Sequence, residues 1–326
     1  MLRFARTLVL IAASLSLVHA NAQIMQNTNY ELELRHVQSL MAGTTATDIP
    51  HHVHYDLKLY DRDGHESTPG TYDIYRDPTR FQRVDIKVGE FQFTRISNLG
   101  NHVEWVHYTD RMPLKIVDFE RVMDIPEAAV SRFAKELETV KQMQPQQLQG
   151  APVLCANDNA GTAICFNPMI RLFSYAQMFN RTIMYDQWLP IGLHTVPGTI
   201  RIYEDKKLLL EATGTVEAVK TFPDHLLEIP ETPSQPSPDS DYKIVKSKPM
   251  DLSDPQYGNV QIAVSIDEKG HTTKESIIDS DDKHLDGIAR KYAKDLVFEP
   301  RLKDGQPVPF DTVIYLEYYP FFPGSQ

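Results

Sequence analysis

The chain has 326 residues and a mass of 37.2 kDa, which is long enough for two domains. Hydrophobic residues make up 41% and charged residues 24%, a composition that excludes wholesale disorder and a multi-span membrane protein. Acidic residues outnumber basic ones by 44 to 33, and the net charge of −11 argues against nucleic-acid partners, which need a basic surface. Two cysteines cannot supply a four-thiolate zinc site.

The first 22 residues predict a secretory signal peptide. Two arginines stand near the start, an apolar run extends from Thr7 to Val18, and small residues at Ala20 and Ala22 favour cleavage before Gln23. An uncleaved inner-membrane anchor is the alternative, but the run is shorter than the ~20 apolar residues that a membrane span needs. The sequence therefore predicts an exported, periplasmic protein.

Residues 23–230 are predicted to form mostly antiparallel strands. The segment HVHYDLKLY (52–60) alternates between apolar and polar residues, which is typical of a strand with one buried face. Short turns separate further strands, and such connections favour hairpins over crossovers. These strands are predicted at 70–76, 80–89, 90–96 and 102–108, and strand patterns return from IRLFSY onward. Helices are predicted over Asn27–Met41 and Pro126–Met143, the second with proline at its first position.

This order of elements resembles the periplasmic lipoprotein-carrier (LolA-type) fold. The resemblance is carried by GTYDIYRDPTRFQRVDI and by the stretch from YDQWLPIGLH to DHLLEIP. It implies an α+β architecture in which an antiparallel incomplete β-barrel has helices on its concave face. By analogy that face would hold a lipid or an acyl chain, although fold analogy alone does not establish a ligand. The alternative is that the protein's own helices fill the face as an ordinary core.

The two cysteines are predicted to pair. Cys155 and Cys165 flank the segment ANDNAGTAI, which is rich in turn-forming residues, and export would place them in an oxidising compartment. A local disulfide that staples a hairpin or a loop is the interpretation that we favour. A redox C-x-x-C motif is absent from the sequence.

A proline-rich stretch divides the chain near residue 235. Residues 229–240 read IPETPSQPSPDS and are typical of a stiff, solvated linker, which we place at 231–250. After it, residues 251–326 predict the order ββαβ. Two alternating strands surround the turn at Asp267–Gly270, a helical stripe runs from Leu285 to Ala293, and DTVIYLEYY (311–319) forms a last strand.

This C-terminal region closely resembles the TonB carboxy-terminal domain family. Its pattern is found here in the following residues: Gly258, Val260 to Ile266, Asp267 with Gly270, Leu285 to Ala293, Phe298-Glu299-Pro300, Gly305-Gln306-Pro307-Val308 and Thr312 to Tyr318. The resemblance implies a module that binds the TonB box of an outer-membrane receptor by strand addition. The residues that it places nearest the partner are Val313, Tyr315, Leu316, Glu317 and Tyr318. For each of these side chains, packing against the helix of the same domain is the alternative.

The chain departs from the family in its N-terminal region. An energy transducer keeps a membrane anchor and a long spacer, whereas this sequence predicts a cleavable signal and a short linker. We therefore expect an envelope adaptor that binds an outer-membrane TonB-dependent receptor or another strand-donating envelope protein. Transport of a lipid or lipoprotein by the N-terminal half is the alternative.

No motif predicts catalysis, and no cofactor is expected. The sequence lacks the serine-hydrolase, metalloprotease and P-loop signatures, so a non-enzyme is predicted. His52 and His54 would share one face of a strand and could bind a metal ion with a third ligand. Because no carboxylate stands at a spacing that completes such a site, a solvated strand face is favoured and no metal site is predicted.

Overall fold

The fold is described from a computed structural model. The structure describes residues 49–61, 63–123, 144–148, 151–157, 162–167, 172–178, 181–204, 206–226, 229, 242–247 and 258–318. The predicted signal peptide, the helices predicted over 27–41 and 126–143, and most of the linker lie outside these residues. Within the described residues, no helix is long and apolar enough to span a membrane.

A twelve-stranded antiparallel sheet forms the N-terminal half. Its strands are β1 (His51–Tyr60), β2 (Glu66–Asp77), β3 (Phe81–Val88), β4 (Phe91–Asn98), β5 (Val103–Tyr108), β6 (Gln144–Leu148), β7 (Ala151–Asn157), β8 (Thr162–Asn167), β9 (Leu172–Met178), β10 (Arg181–Asp186), β13 (Thr199–Glu204) and β14 (Lys207–Ala218). A hairpin of β11 (Leu189–Ile191) and β12 (His194–Val196) stands apart from it. The order is β5-β4-β3-β2-β1-β14-β13-β10-β9-β8-β7-β6, so β5 and β6 are edges and the sheet does not close. The predicted large, open antiparallel sheet is confirmed.

Strand β1 lies in the middle of this sheet and follows the predicted alternation. Val53, Tyr55 and Leu57 are buried on one face, whereas His52 and His54 lie half-buried on the other. The period of two in the sequence sets this division, because successive side chains in a strand point to opposite faces. At β1, one face of the sheet therefore belongs to the core and the other carries partly exposed polar side chains.

A helix that the sequence patterns did not predict covers the core face. This helix, α1, is described over residues 114–123. Ile116 and Phe119 are fully buried, and the Phe119 ring meets the rings of Tyr55 and Tyr72 edge-on at 5.7 and 5.2 Å. Edge-on contacts between aromatic rings stabilise the folded protein beyond the effect of burying their apolar surface. The described part of the sheet's core face is thus packed by the protein's own side chains.

The C-terminal module, residues 258–318, has a core of its own. Its elements are β16 (Gly258–Ile266), β17 (Thr272–Ser280), α2 (Lys283–Asp295), β18 (Val297–Phe298), β19 (Arg301–Lys303), β20 (Gln306–Val308) and β21 (Phe310–Tyr318). A short strand before the module, β15 (Ile244–Lys246), pairs with β18. β17, β16 and β21 form a three-stranded antiparallel sheet in that order, and α2 packs on one face of it.

Helix α2 faces the sheet with the stripe that its sequence predicts. Asp282 is the N-cap, and its side chain accepts a hydrogen bond from the backbone N–H of His284 at 2.9 Å. Leu285, Ala289 and Ala293 recur at a spacing of four, so they share one side of the helix and are fully buried. This stripe covers the apolar side chains of β16.

Candidate functional site

Strand β21 lies at an edge of the three-stranded sheet. It pairs with β16 over nine consecutive residues, from Phe310 opposite Ile266 to Tyr318 opposite Gly258, without a register shift. At a sheet edge, one row of backbone N–H and C=O groups points away from the neighbouring strand and can pair with another chain. β21 is therefore a long, regular edge.

The opposite edge, β17, is irregular. Its register with β16 shifts twice, between Gln261 and Ile262 and between Ser265 and Ile266. Glu275 of β17 also forms an ion pair with Lys294 of α2, with 3.1 Å between Nζ and Oε1. Bulges and charged side chains are the devices by which proteins prevent pairing at a sheet edge. The two edges thus differ in how readily a further strand could be added.

The five residues predicted to lie nearest a partner divide between the two faces of β21. Leu316 and Tyr318 are buried in the core against α2, whereas Val313 and Tyr315 are half-buried on the other face. The side chain of Glu317 lies outside the described part. The alternation follows from the strand period of two. Contact of these residues with a partner stays a prediction, and any such contact at Leu316 and Tyr318 would have to come from the backbone.

The second face of the three-stranded sheet packs against the N-terminal half. Gln261 of β16 donates from Nε2 to the carbonyl oxygen of Met112 at 3.0 Å. The guanidinium of Arg121, on α1, lies 5.7 Å from the centre of the Tyr315 ring. The N-terminal half therefore contacts this face at β16 and β21, whereas Lys274, Ser276 and Asp279 of β17 are exposed.

A buried ionic cluster joins the two halves. Arg181 of β10 contacts Asp281 through Nη2 at 2.7 Å and Asp118 of α1 through the same nitrogen at 3.2 Å. Its Nε lies 3.6 Å from Oε1 of Glu204. The side chains of Arg181, Asp118 and Asp281 are only 3 to 7% exposed. Charges buried to this extent need partners, because taking an isolated charge out of water is costly.

Asn259 completes this cluster from the C-terminal module. Its Nδ2 donates to Asp118 Oδ1 at 2.7 Å and to Asp281 Oδ2 at 2.9 Å. Its Oδ1 accepts a hydrogen bond from Arg121 Nη1 at 2.9 Å. One amide side chain thus binds two groups of α1 and one of its own module. We infer that the cluster holds β21 in a defined orientation relative to the twelve-stranded sheet.

Burial determines the ionisation of this cluster. It raises the pKa of Asp118 to about 7; the positive charge of Arg181 opposes the shift and the negative charge of Asp281 adds to it. Burial disfavours the charge on Arg181, but the carboxylates of Asp118, Asp281 and Glu204 outweigh it and raise its pKa. The guanidinium therefore stays charged, and the pKa of Asp118 lies near neutral pH.

The predicted cysteine pair is present as a disulfide. Cys155 of β7 and Cys165 of β8 stand directly opposite each other in neighbouring strands and are joined. Both are about 1% exposed. The bond staples the hairpin β7–β8 of the large sheet and lies apart from the C-terminal module.

A family match identifies the module that carries the regular edge. Residues 253–320 match the model of the Gram-negative bacterial TonB protein C-terminal. The resemblance predicted from the motifs between Gly258 and Tyr318 is therefore confirmed. No curated protein sequence matches the chain.

Three solved structures are similar to more than half of this chain, at low sequence identity. One is a DUF1329 family protein from Desulfovibrio piger, with 9% identity, a TM-score of 0.36, and coverage of 61% of this chain and 95% of that one. Another is a LolA superfamily protein from Nitrosomonas europaea, with 10% identity, a TM-score of 0.33, and coverage of 60% and 96%. A third is a putative outer membrane lipoprotein-sorting protein domain from Vibrio parahaemolyticus, with 8% identity, a TM-score of 0.36, and coverage of 60% and 94%.

Proposed function

We propose that this chain is a cell-envelope adaptor whose C-terminal module binds an extended peptide segment along β21 by strand addition. The observation that carries the proposal is the edge itself. It is nine residues long, keeps an unbroken register with β16, and lies in the segment that matches the TonB C-terminal family. In strand addition, backbone hydrogen bonds supply affinity and alternate side chains supply specificity.

The neighbours of β21 favour this edge over other surfaces of the module. The α2 face of the sheet is closed by Leu285 and Ala289, and on the second face Gln261 contacts Met112 of the N-terminal half. The β17 edge is bulged and carries the ion pair of Glu275. A partner segment that pairs with β21 would meet the side chains of Val313 and Tyr315 on one face and the backbone alone at Leu316 and Tyr318.

The proposed partner is an outer-membrane TonB-dependent receptor or another envelope protein that donates a strand. The family match favours an envelope protein, and the family resemblance suggests the TonB box as the donated segment. The proposal assigns no energy transduction and no enzymatic activity to the chain. It needs only an exported module that is held in place by the buried cluster around Arg181.

Transport of lipid in the N-terminal half is supported less well. Ile116 and Phe119 of α1 occupy the core face on which an acyl chain would lie. A cleft of about 310 Å³ between the two halves is lined by Leu209 together with charged residues such as Glu204 and Lys207. We therefore place the function at the β21 edge.

Peptide titration of the full mature chain tests the proposal. Amide resonances of ¹⁵N-labelled protein should shift along β21 when a peptide carrying a TonB box is added, while those of β17 stay in place. A scrambled peptide of equal composition is the control. Shifts spread over β17 or the outer face of the large sheet, or none with several such peptides at millimolar concentration, would contradict strand addition at β21.

A further inference from the structure

The outer face of the large sheet carries a compact cluster of two imidazoles and one carboxylate. His52 and His54 stand two residues apart on β1, so both side chains point to the same face. The strand register places Asp73 of β2 directly opposite His54. The sequence alone did not supply this third group, because it is 19 residues beyond His54 and is brought there by the β1–β2 hairpin.

The three side chains converge on one point. His52 Nε2 and His54 Nδ1 each lie 2.8 Å from the same oxygen, Oδ1 of Asp73. One candidate donor atom from each residue lies within 4.8 Å of the other two. Two imidazole nitrogens and a carboxylate oxygen that face one another at this spacing form the donor set of a three-ligand zinc site.

Neighbouring groups orient both rings. The His52 ring stacks on Tyr75 with 4.3 Å between ring centres and an angle of 3° between the planes. His54 uses Nδ1 toward Asp73, and its Nε2 lies 3.4 Å from Oδ1 of Asp56. In metal sites, the ring nitrogen that does not bind the ion commonly donates to a carboxylate, which fixes the tautomer. Asp56 is placed for that role.

The charge at the cluster suits a cation. The carboxylate of Asp73 is the acidic member of the cluster, and both imidazoles point at its Oδ1. Across from Asp73 on β3, the carboxylate of Asp85 is engaged by Arg83 at 2.7 Å. Asp73 is thus the carboxylate that contacts both imidazoles.

The cluster is rigid but reachable from solvent. β1 is hydrogen-bonded on both sides, to β2 and to β14, so the ligands stand on a central strand of the sheet. The side chains of His52, His54 and Asp73 are 26%, 32% and 17% exposed. This exposure leaves room for water or another exogenous ligand at a fourth position.

We propose that His52 Nε2, His54 Nδ1 and the carboxylate of Asp73 bind a divalent transition-metal ion, with Zn²⁺ as the fitting case. Imidazole nitrogen favours Zn²⁺ and Cu²⁺ over Ca²⁺ and Mg²⁺, which prefer oxygen ligands throughout. The site is open to a fourth, solvent ligand. It lies on β1 and β2, apart from β21, so it is independent of the proposed peptide edge.

A second His–Asp cluster in the structure has a different explanation. Asp61 Oδ1 accepts hydrogen bonds from the backbone N–H groups of Asp63 and His65, both at 2.9 Å. Asp267 makes the same pair of bonds in the β16–β17 turn, to the N–H groups two and four residues further on. These carboxylates stabilise hairpin turns. His65 therefore provides a matched control for the β1 site.

Zinc titration of the full, untagged chain tests the proposal. The protein is stripped with EDTA, dialysed, and titrated with ZnCl₂ by calorimetry, with Mg²⁺ as a comparison. We expect one equivalent of Zn²⁺ to bind, and His54→Gln and Asp73→Asn each to weaken binding by about 10-fold or more. His65→Gln should bind as the wild-type chain does. Because the three side chains point outward, far-UV circular dichroism should be unchanged in all variants.

The ligating nitrogens give a second readout that does not depend on the variants. On zinc binding, the imidazole ¹⁵N resonances of His52 Nε2 and His54 Nδ1 should shift to values typical of metal-bound nitrogen, while those of His65 stay in place. Equal zinc affinity in wild type, His54→Gln and Asp73→Asn, shifts confined to other histidines, or no binding at ~100 μM Zn²⁺, a concentration far above that at which protein zinc sites fill, would overturn the proposal.

Discussion

The two sheets of this protein leave different kinds of surface available for binding. The twelve-stranded sheet is packed on one face by α1, and its other face presents side chains such as His52 and His54. The three-stranded sheet is covered on one face by α2 and contacted on the other by the N-terminal half, and its edge at β21 is long and regular. Binding to the first sheet would therefore depend on side-chain chemistry, and binding to the second on the backbone.

Substitutions in the core between α1 and the large sheet should have the largest effect on stability. Phe119→Ala should lower the free energy of unfolding by about 3–5 kcal/mol, because it leaves a cavity between the helix and two tyrosine rings. Urea unfolding measures this loss. Leu285→Ala, a large-to-small change in the core of the C-terminal module, is the comparison variant. If the face were an open lipid cavity, Phe119→Ala would cost little and native mass spectrometry would find more bound acyl ligand.

Substitutions in the buried cluster around Arg181, which joins the two sheets, should lower stability by a similar amount. Arg181→Met leaves Asp118 and Asp281 buried without their cation and should cost about 3–5 kcal/mol in urea unfolding. Arg201→Met, on the neighbouring strand β13, removes a half-exposed arginine paired with Glu211 at 2.6 Å and should cost about 1 kcal/mol or less. Equal losses in the two variants would show that the cluster does not hold the halves together.

The stability of the protein should depend on pH because of Asp118 in the same cluster. The pKa of Asp118 is about 7 in the folded protein, against ~3.9 in an unfolded chain. Between these values the folded state holds a proton that the unfolded state has lost, so stability should fall as the pH rises from 4 to 7 and then level off. From pH 5 to 8 the difference between wild type and Asp118→Asn should change by about 2–3 kcal/mol. A difference that does not vary with pH would place the titrating group elsewhere.

Local periodicity predicted much of this fold. Alternation in residues 52–60 gave the strand β1 and its two faces, and the stripe from Leu285 to Ala293 gave the side of α2 that is buried. Both features depend only on the geometry of a single strand or helix. The same holds for the pairing of Cys155 with Cys165, since the two cysteines flank a short turn.

Contacts between distant segments could not be predicted in this way. Asp73 meets His54 only because the β1–β2 hairpin sets that register, and the buried cluster brings Arg181 to Asp281 across about a hundred residues. Helix α1 was missed although Pro113 precedes Ile116 and Phe119 at helical spacing. The pattern is short and merges with apolar residues typical of strands.

Peptides with methylated backbone nitrogens test the central claim most directly. In an added antiparallel strand, alternate N–H groups of the peptide would face β21 and the others would face solvent. A TonB-box peptide N-methylated at the alternate positions of one set should lose binding to the full chain, while methylation of the other set should leave it nearly unchanged. Equal binding by both peptides, or equal loss, would contradict strand addition at β21.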